Sequence, residues 1–139
     1  MLLEVKALSL QMAKLIADNV EKKALELQIN IAIAIMDNHG NLKYFRRMDD
    51  NNFISVRMAP LKAKTSASIP VSTKELAKRN LANDNRPYLA IPGIALLEGG
   101  LPILTKDGQH IGAIGVSGAT PELDGICAEA GLKAIEKYL

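Results

Sequence analysis

Apolar side chains return every three or four positions at Met12, Ile16, Val20, Ala24 and Leu27, which places them on one side of an α-helix. Ser9 stands just ahead, and its hydroxyl can accept from an unpaired amide of the first turn. The period then falls to two. In Ile31-Ala32-Ile33-Ala34-Ile35-Met36 the isoleucines take one face of a strand, and alanines and a methionine take the other. Asp37-Asn38-His39-Gly40-Asn41 is turn chemistry, with Gly40 free to adopt positive φ, and Leu42 to Arg47 reads as the returning strand. Residues 31–47 are therefore expected to form a hairpin.

Helical spacing resumes over residues 53–68, with Ile54, Met58, Leu61 and Thr65 on one face. Pro60 lies inside this stretch, and a proline there predicts a kink or a late start. Ser72-Thr73-Lys74-Glu75 has the pattern of a capping box and predicts a short helix from Thr73 to about Ala82. Residues 83–118 read as β: strands at Ile94 to Leu97 and Leu101 to Thr105 flank Gly99-Gly100. A turn at Lys106-Asp107-Gly108-Gln109 then leads into a last strand from His110 to Ser117. Thr120-Pro121-Glu122 carries three start signals of a closing helix, whose buried face should hold Leu123, Cys127, Ala130, Ala134 and Tyr138. The expected order is αββααβββα, an α+β domain spanning residues 1–139, with an antiparallel sheet covered by helices.

Composition narrows the function. Of 139 residues, 48% are hydrophobic and 23% charged, which is ordinary for one globular domain. The net charge is only +2, aromatics are 4% and Trp is absent, which argues against a nucleic-acid partner. Residues 43–86 are the basic part of the chain, read as a solvated face or an anion-binding surface. Cys127 is the only cysteine, so no intramolecular disulfide forms, and it reads as a small buried hydrophobe. No apolar run is long enough for a membrane span, and the first residues lack the order of a secretory signal, so a cytoplasmic protein is expected.

Catalytic constellations are absent from the pattern. His39 and His110 each stand alone, and no metal-binding spacing of His or Cys occurs. Asp18 and Glu21, three apart on a helix, can share a cation only weakly. The glycines carry more. In Gly112-Ala113-Ile114-Gly115-Val116-Ser117-Gly118, alternate residues Ile111, Ala113, Gly115 and Ser117 shrink along one strand face. Glycine in a strand marks close approach of another backbone or of a ligand, so this strip predicts either tight helix packing or a planar recess.

Several stretches together resemble one family. They are Asp37 to Gly40, Arg47-Met48-Asp49, Lys62-Ala63-Lys64-Thr65, Ser72-Thr73-Lys74-Glu75-Leu76, Ile91-Pro92-Gly93, Gly99-Gly100-Leu101-Pro102-Ile103, and Gly112 to Gly118 followed by Asp124, Cys127 and Gly131. From about Leu8 to Leu139 the chain resembles the GlcG/HbpS family. That family includes the C-terminal domain of PduO-type proteins and small stand-alone members of bacterial glycerol and diol utilisation operons. The resemblance implies a profilin-like or PAS-like antiparallel sheet of about five strands with helices packed on it, and homo-oligomers. It also implies haem as a cofactor in some members, with haem degradation or iron binding described for others. A related haem-binding domain uses a histidine of its first helix, the stretch where this chain has Met12. Hydroxyls equivalent to Thr65, Ser72 or Thr73 serve as weaker ligands elsewhere in the family, so the metal ligand stays open.

Haem carboxylates would suit Arg46, Arg47 or Lys62, because cationic side chains grip carboxylates. The expected seat is shallow, near Gly99, Gly100, Gly112 and Gly115, and shared between subunits. The leading expectation is thus a non-catalytic, oligomeric protein for a small ligand, haem or a related tetrapyrrole. The alternatives are an accessory protein acting by contact in glycerol or diol metabolism, and a haem-degrading or haem-linked redox activity.

Overall fold

The computed structural model describes all 139 residues. Four helices, α1 (Leu10–Glu26), α2 (Phe53–Ser68), α3 (Thr73–Leu81) and α4 (Pro121–Lys133), surround four strands, β1 (Ala32–Asp37), β2 (Leu42–Arg47), β3 (Gly100–Leu104) and β4 (His110–Ser117). Short 3₁₀ turns lie at Pro87–Ala90 and Glu136–Tyr138. The sheet order is β2-β1-β4-β3, antiparallel throughout, which leaves β2 and β3 as edges. The α+β class is as expected, but the strands number four rather than five. No helix is long and apolar enough to cross a membrane.

Alternation in β1 sorts the core into two layers. Ile31, Ile33 and Ile35 join Ile114 and Val116 of β4 beneath α1 and α4, in a cluster with Ile16, Val20, Cys127 and Ile135. Ala32, Ala34 and Met36 face the other way, against Ala59 and Ala63 of α2. The bulky face therefore carries two helices and the small face carries one, held close.

The hairpin over residues 31–47 forms as expected. Asp37 accepts from the backbone N–H groups of His39 (2.9 Å) and Asn41 (3.0 Å) and from the Asn41 side chain (3.2 Å). Gly40 sits at φ +81°. Burial pushes the Asp37 carboxyl up, but these three donors outweigh it and hold it below the usual carboxylate value. Ser9 and Thr120 cap their helices as predicted, accepting from the amides of Met12 and Leu123. Ser72 caps α3 through the Glu75 amide, although Glu75 turns its carboxylate to Arg79 rather than completing the box.

Several expectations need correction. Residues 94–97 are not a strand. The Ala95 N–H is taken by Thr65 Oγ1 (2.8 Å), and Gly93, at φ +80°, turns the chain just before it. Sheet pairing is first joined at Gly99, whose carbonyl accepts from Val116 (2.9 Å). Helix α2 neither starts late nor stops at Pro60; it runs from Phe53 to Ser68, and Val56, whose carbonyl loses its usual donor there, is only half buried.

The buried faces of α2 and α4 are also turned by one residue from those expected. In α2 the buried side is Ser55, Ala59, Lys62, Ala63 and Ser66, while Ile54 is 54% exposed. In α4 it is Asp124, Ala128 and Gly131 with Cys127, continued by Ile135, and Tyr138 is 57% exposed beyond the helix end. A bulge opposite Ile103 and Leu104 moves Ile111 out of the small strip and into the main core.

The cause of the α2 rotation is distance. A Cβ on Gly115 would collide with the carbonyl of Ala59 and lie 2.5 Å from the Ala63 nitrogen. At that separation only small side chains fit between helix and sheet. The strip around Gly115 is thus packed by α2 and leaves no planar recess.

Gly115→Ala should lower the unfolding free energy by about 3 kcal/mol in urea titration, because backbone must move. Gly93→Ala, at positive φ but in open space, should lose only about 1 kcal/mol. Replacing Asp37 by Ala should reduce stability by about 1 kcal/mol at neutral pH. Because the folded carboxyl titrates below its unfolded value, that contribution is full above the unfolded value and fades as pH falls through the folded one. The gap between wild type and D37A, read by thermal melts, should therefore close only below about pH 4.

Candidate functional site

Lys62 projects from the centre of α2 into the interior. Its Nζ donates to Asp124 Oδ2 (2.9 Å) and to the Val116 carbonyl (3.0 Å), and both side chains are 2% exposed. Asp124 lies in the first turn of α4, where a helix N-terminus favours negative charge, and its other oxygen accepts from the Ala119 N–H (3.0 Å). The pair therefore joins α2, the end of β4 and the start of α4.

Gly99 and Gly100 are folded onto this node. Gly99 sits at φ +133°, and a Cβ there would lie 2.5 Å from the Val116 carbonyl and 2.9 Å from Lys62 Nζ. At Gly100 a Cβ would come 2.6 Å from the Lys62 carbonyl and from the Thr73 methyl, and its N–H donates to Thr73 Oγ1 (3.0 Å). Thr65 donates to the Leu61 carbonyl (2.7 Å) while accepting from Ala95. Lys62, Thr65, Thr73, Gly99 and Gly100 are thus neighbours, but the three side chains are buried and engaged with protein partners.

Ser72, Gly99 and Gly100 reach solvent at a small pocket of about 140 Å³, shared with Lys74, Glu98, Leu101, Gly125 and Glu129. Glu98 lies over Gly125, where a Cβ would strike its carboxylate. Useful small-molecule sites span about 300–1,000 Å³, so a tetrapyrrole does not fit there within one chain.

The remaining candidates lie elsewhere. Gly112 is on the opposite face from Gly115, against the Met36 carbonyl and Leu8. Arg46 is on edge strand β2, where it pairs with Asp18 (2.8 Å) and Glu21 (3.9 Å), donates to the Tyr44 hydroxyl and lies over that ring. Its guanidinium occupies the position between the two carboxylates that a shared cation would take. Arg47 is exposed at the end of β2. Cys127 is fully buried, and burial, with the nearby Asp124 charge, pushes its thiol up to about 11, so it stays protonated at neutral pH. His39 is exposed in its turn, and His110 is half-buried with Nε2 lacking a partner. No group of three or more His, Cys, Asp or Glu comes together to hold a metal ion.

A different pocket, of about 290 Å³, opens at the start of α1 between Ser9, Gln11, Met12, Leu15 and Tyr138. It combines a thioether and a phenol, two of the donor types that haem iron accepts, with an apolar wall. Met12 was legible as a candidate from its place in the first helix. Tyr138 was not, because sequence spacing assigned it to a buried helical face. Asp124 was hidden as a site residue because a carboxylate after Thr-Pro-Glu reads as ordinary helix-start charge.

Comparison with known proteins adds a family. The profile described as "Haem degrading protein HbpS-like" matches residues 8–133. A Citrobacter freundii protein, the uncharacterized 15.0 kDa protein in the dhaT-dhaS intergenic region, is 32% identical over 93% of this chain and 92% of its own. The crystal structure of a double mutant of Streptomyces reticuli HbpS is 34% identical, with a TM-score of 0.87 over 96% of this chain and 90% of that one. The crystal structure of a PduOC:heme complex is 28% identical, with a TM-score of 0.83 over 94% of this chain and 96% of that one.

Removing one member of the central pair strands the other charge in the interior. Lys62→Met should lower the unfolding free energy by about 3–5 kcal/mol in urea titration. The double variant Lys62→Met with Asp124→Leu should recover a large part of that loss, since no lone charge then remains.

Proposed function

The chain belongs to the HbpS-like family, and on that premise we propose that it binds haem or a related tetrapyrrole, without catalysing a reaction of its own, at the pocket between the start of α1 and Tyr138. The observation that carries this reading is the convergence of Met12, Leu15 and Tyr138 on one pocket. The likeness to a PduOC:heme complex supports the ligand class. When bound, haem supplies an iron centre and a flat apolar surface. The thioether of Met12 and the phenol of Tyr138 are the donors available to the iron, and Leu15 offers apolar contact to the ring.

The polar groups of this pocket favour holding over turnover. Ser9 Oγ is occupied in capping α1, and Gln11 has no proton to exchange at neutral pH. The pocket thus brings no acid–base pair to a bound ligand. A cytoplasmic, reducing setting suits the single, buried, unpaired Cys127.

Titration of the purified protein with hemin, followed by absorbance, tests the reading. A saturable band shift at one equivalent per chain is expected. Met12→Ala should weaken binding about tenfold, equivalent to about 1.4 kcal/mol, and Tyr138→Phe should shift the band. A titration without saturation would exclude the ligand class. Saturable binding that both substitutions leave unchanged would exclude the pocket.

A further inference from the structure

The largest surface groove, about 590 Å³, runs between α4 and edge strand β3 and lies apart from the Met12 pocket. Its floor is apolar, with Leu101, Pro102 and Ile126, the last 42% exposed. On α4 the exposed positions Glu122, Ile126, Glu129 and Lys133 are spaced four, three and four apart, the repeat of a helix seam that packs against another helix. Half-buried Ala130 sits in the middle of this seam, where a small side chain permits close approach.

The charges specify what covers it. Glu129 and Lys133 flank the centre of the strip with opposite signs. If a second copy is laid on it about a two-fold axis, the two helices run antiparallel, so each Glu129 meets a Lys133 and each Lys133 meets a Glu129. A parallel arrangement would set like charges together. The edge of β3 argues in the same direction. Pro102 has no N–H, so an added strand cannot pair across the middle of this edge, and contact must come through side chains.

We propose that α4 and β3 form an isologous contact between two copies of this chain, centred on Ala130 and closed by reciprocal Glu129–Lys133 pairs. The contact is independent of tetrapyrrole binding, because it uses neither Met12 nor Tyr138.

Light scattering coupled to size exclusion reads the result, with circular dichroism as the check that each variant folds. The wild type should run as a dimer or a multiple of one. Glu129→Lys and Lys133→Glu should each raise the dissociation constant at least about tenfold, since each sets like charges face to face twice. The double variant carrying both changes should restore assembly. A wild type that is monomeric at sub-millimolar concentration overturns the proposal. So does an assembly that the single variants leave intact, or a double variant that stays dissociated.

Discussion

A lysine and an aspartate sealed inside a 139-residue protein constrain everything around them. Desolvating two charges costs several kcal/mol each, and mutual attraction offsets this only when the remaining donors and acceptors are also met. Here the Val116 carbonyl and the Ala119 amide meet them. Those partners come from the end of β4 and the turn before α4, so satisfying the charges requires α2, β4 and α4 to be in register. The pair acts as a positioning device more than as a source of net stability. The two glycines at 99 and 100 follow from it, because a side chain at Gly99 would displace Lys62 or the carbonyl that holds it.

The same closeness explains where a ligand can and cannot go. The family likeness directs attention to the glycine-rich strand, yet that strand is filled from one side by the α2 backbone and from the other by the main core. Its glycines serve packing between backbones. Thr65 and Thr73, hydroxyls suited to a ligand, are spent on the amides of Ala95 and Gly100 in the loop that closes over Lys62. A bulky guest must therefore approach the periphery. There, α1 and the C-terminal turn leave Met12 and Tyr138 side by side at a pocket without rigid backbone pressed against it. The opposite end of the chain's surface, along α4 and β3, has the charge pattern of a protein contact, so assembly and ligand binding occupy separate faces.

Local chemistry along the chain determined a good deal. The alternating isoleucines and alanines of residues 31–36 define a strand with one bulky and one small face, and Asp37 with Gly40 defines its turn. Ser9, Ser72 and Thr120 mark three helix starts through hydroxyls that accept from amides three residues on. These features depend on neighbours in sequence, which is why they are legible there. Tertiary structure alone decided the rest. Which side of α2 is buried depends on how near the helix lies to Gly115, and at that distance alanine and serine displace isoleucine from the interface. Whether residues 94–97 pair as a strand depends on Thr65, about thirty positions away, capturing the Ala95 amide. That Lys62 finds Asp124 across 62 positions is invisible to any periodicity. Hydrophobic spacing reports the water a residue avoids, whereas the distance between backbones and the pairing of buried polar groups arise only when remote segments meet.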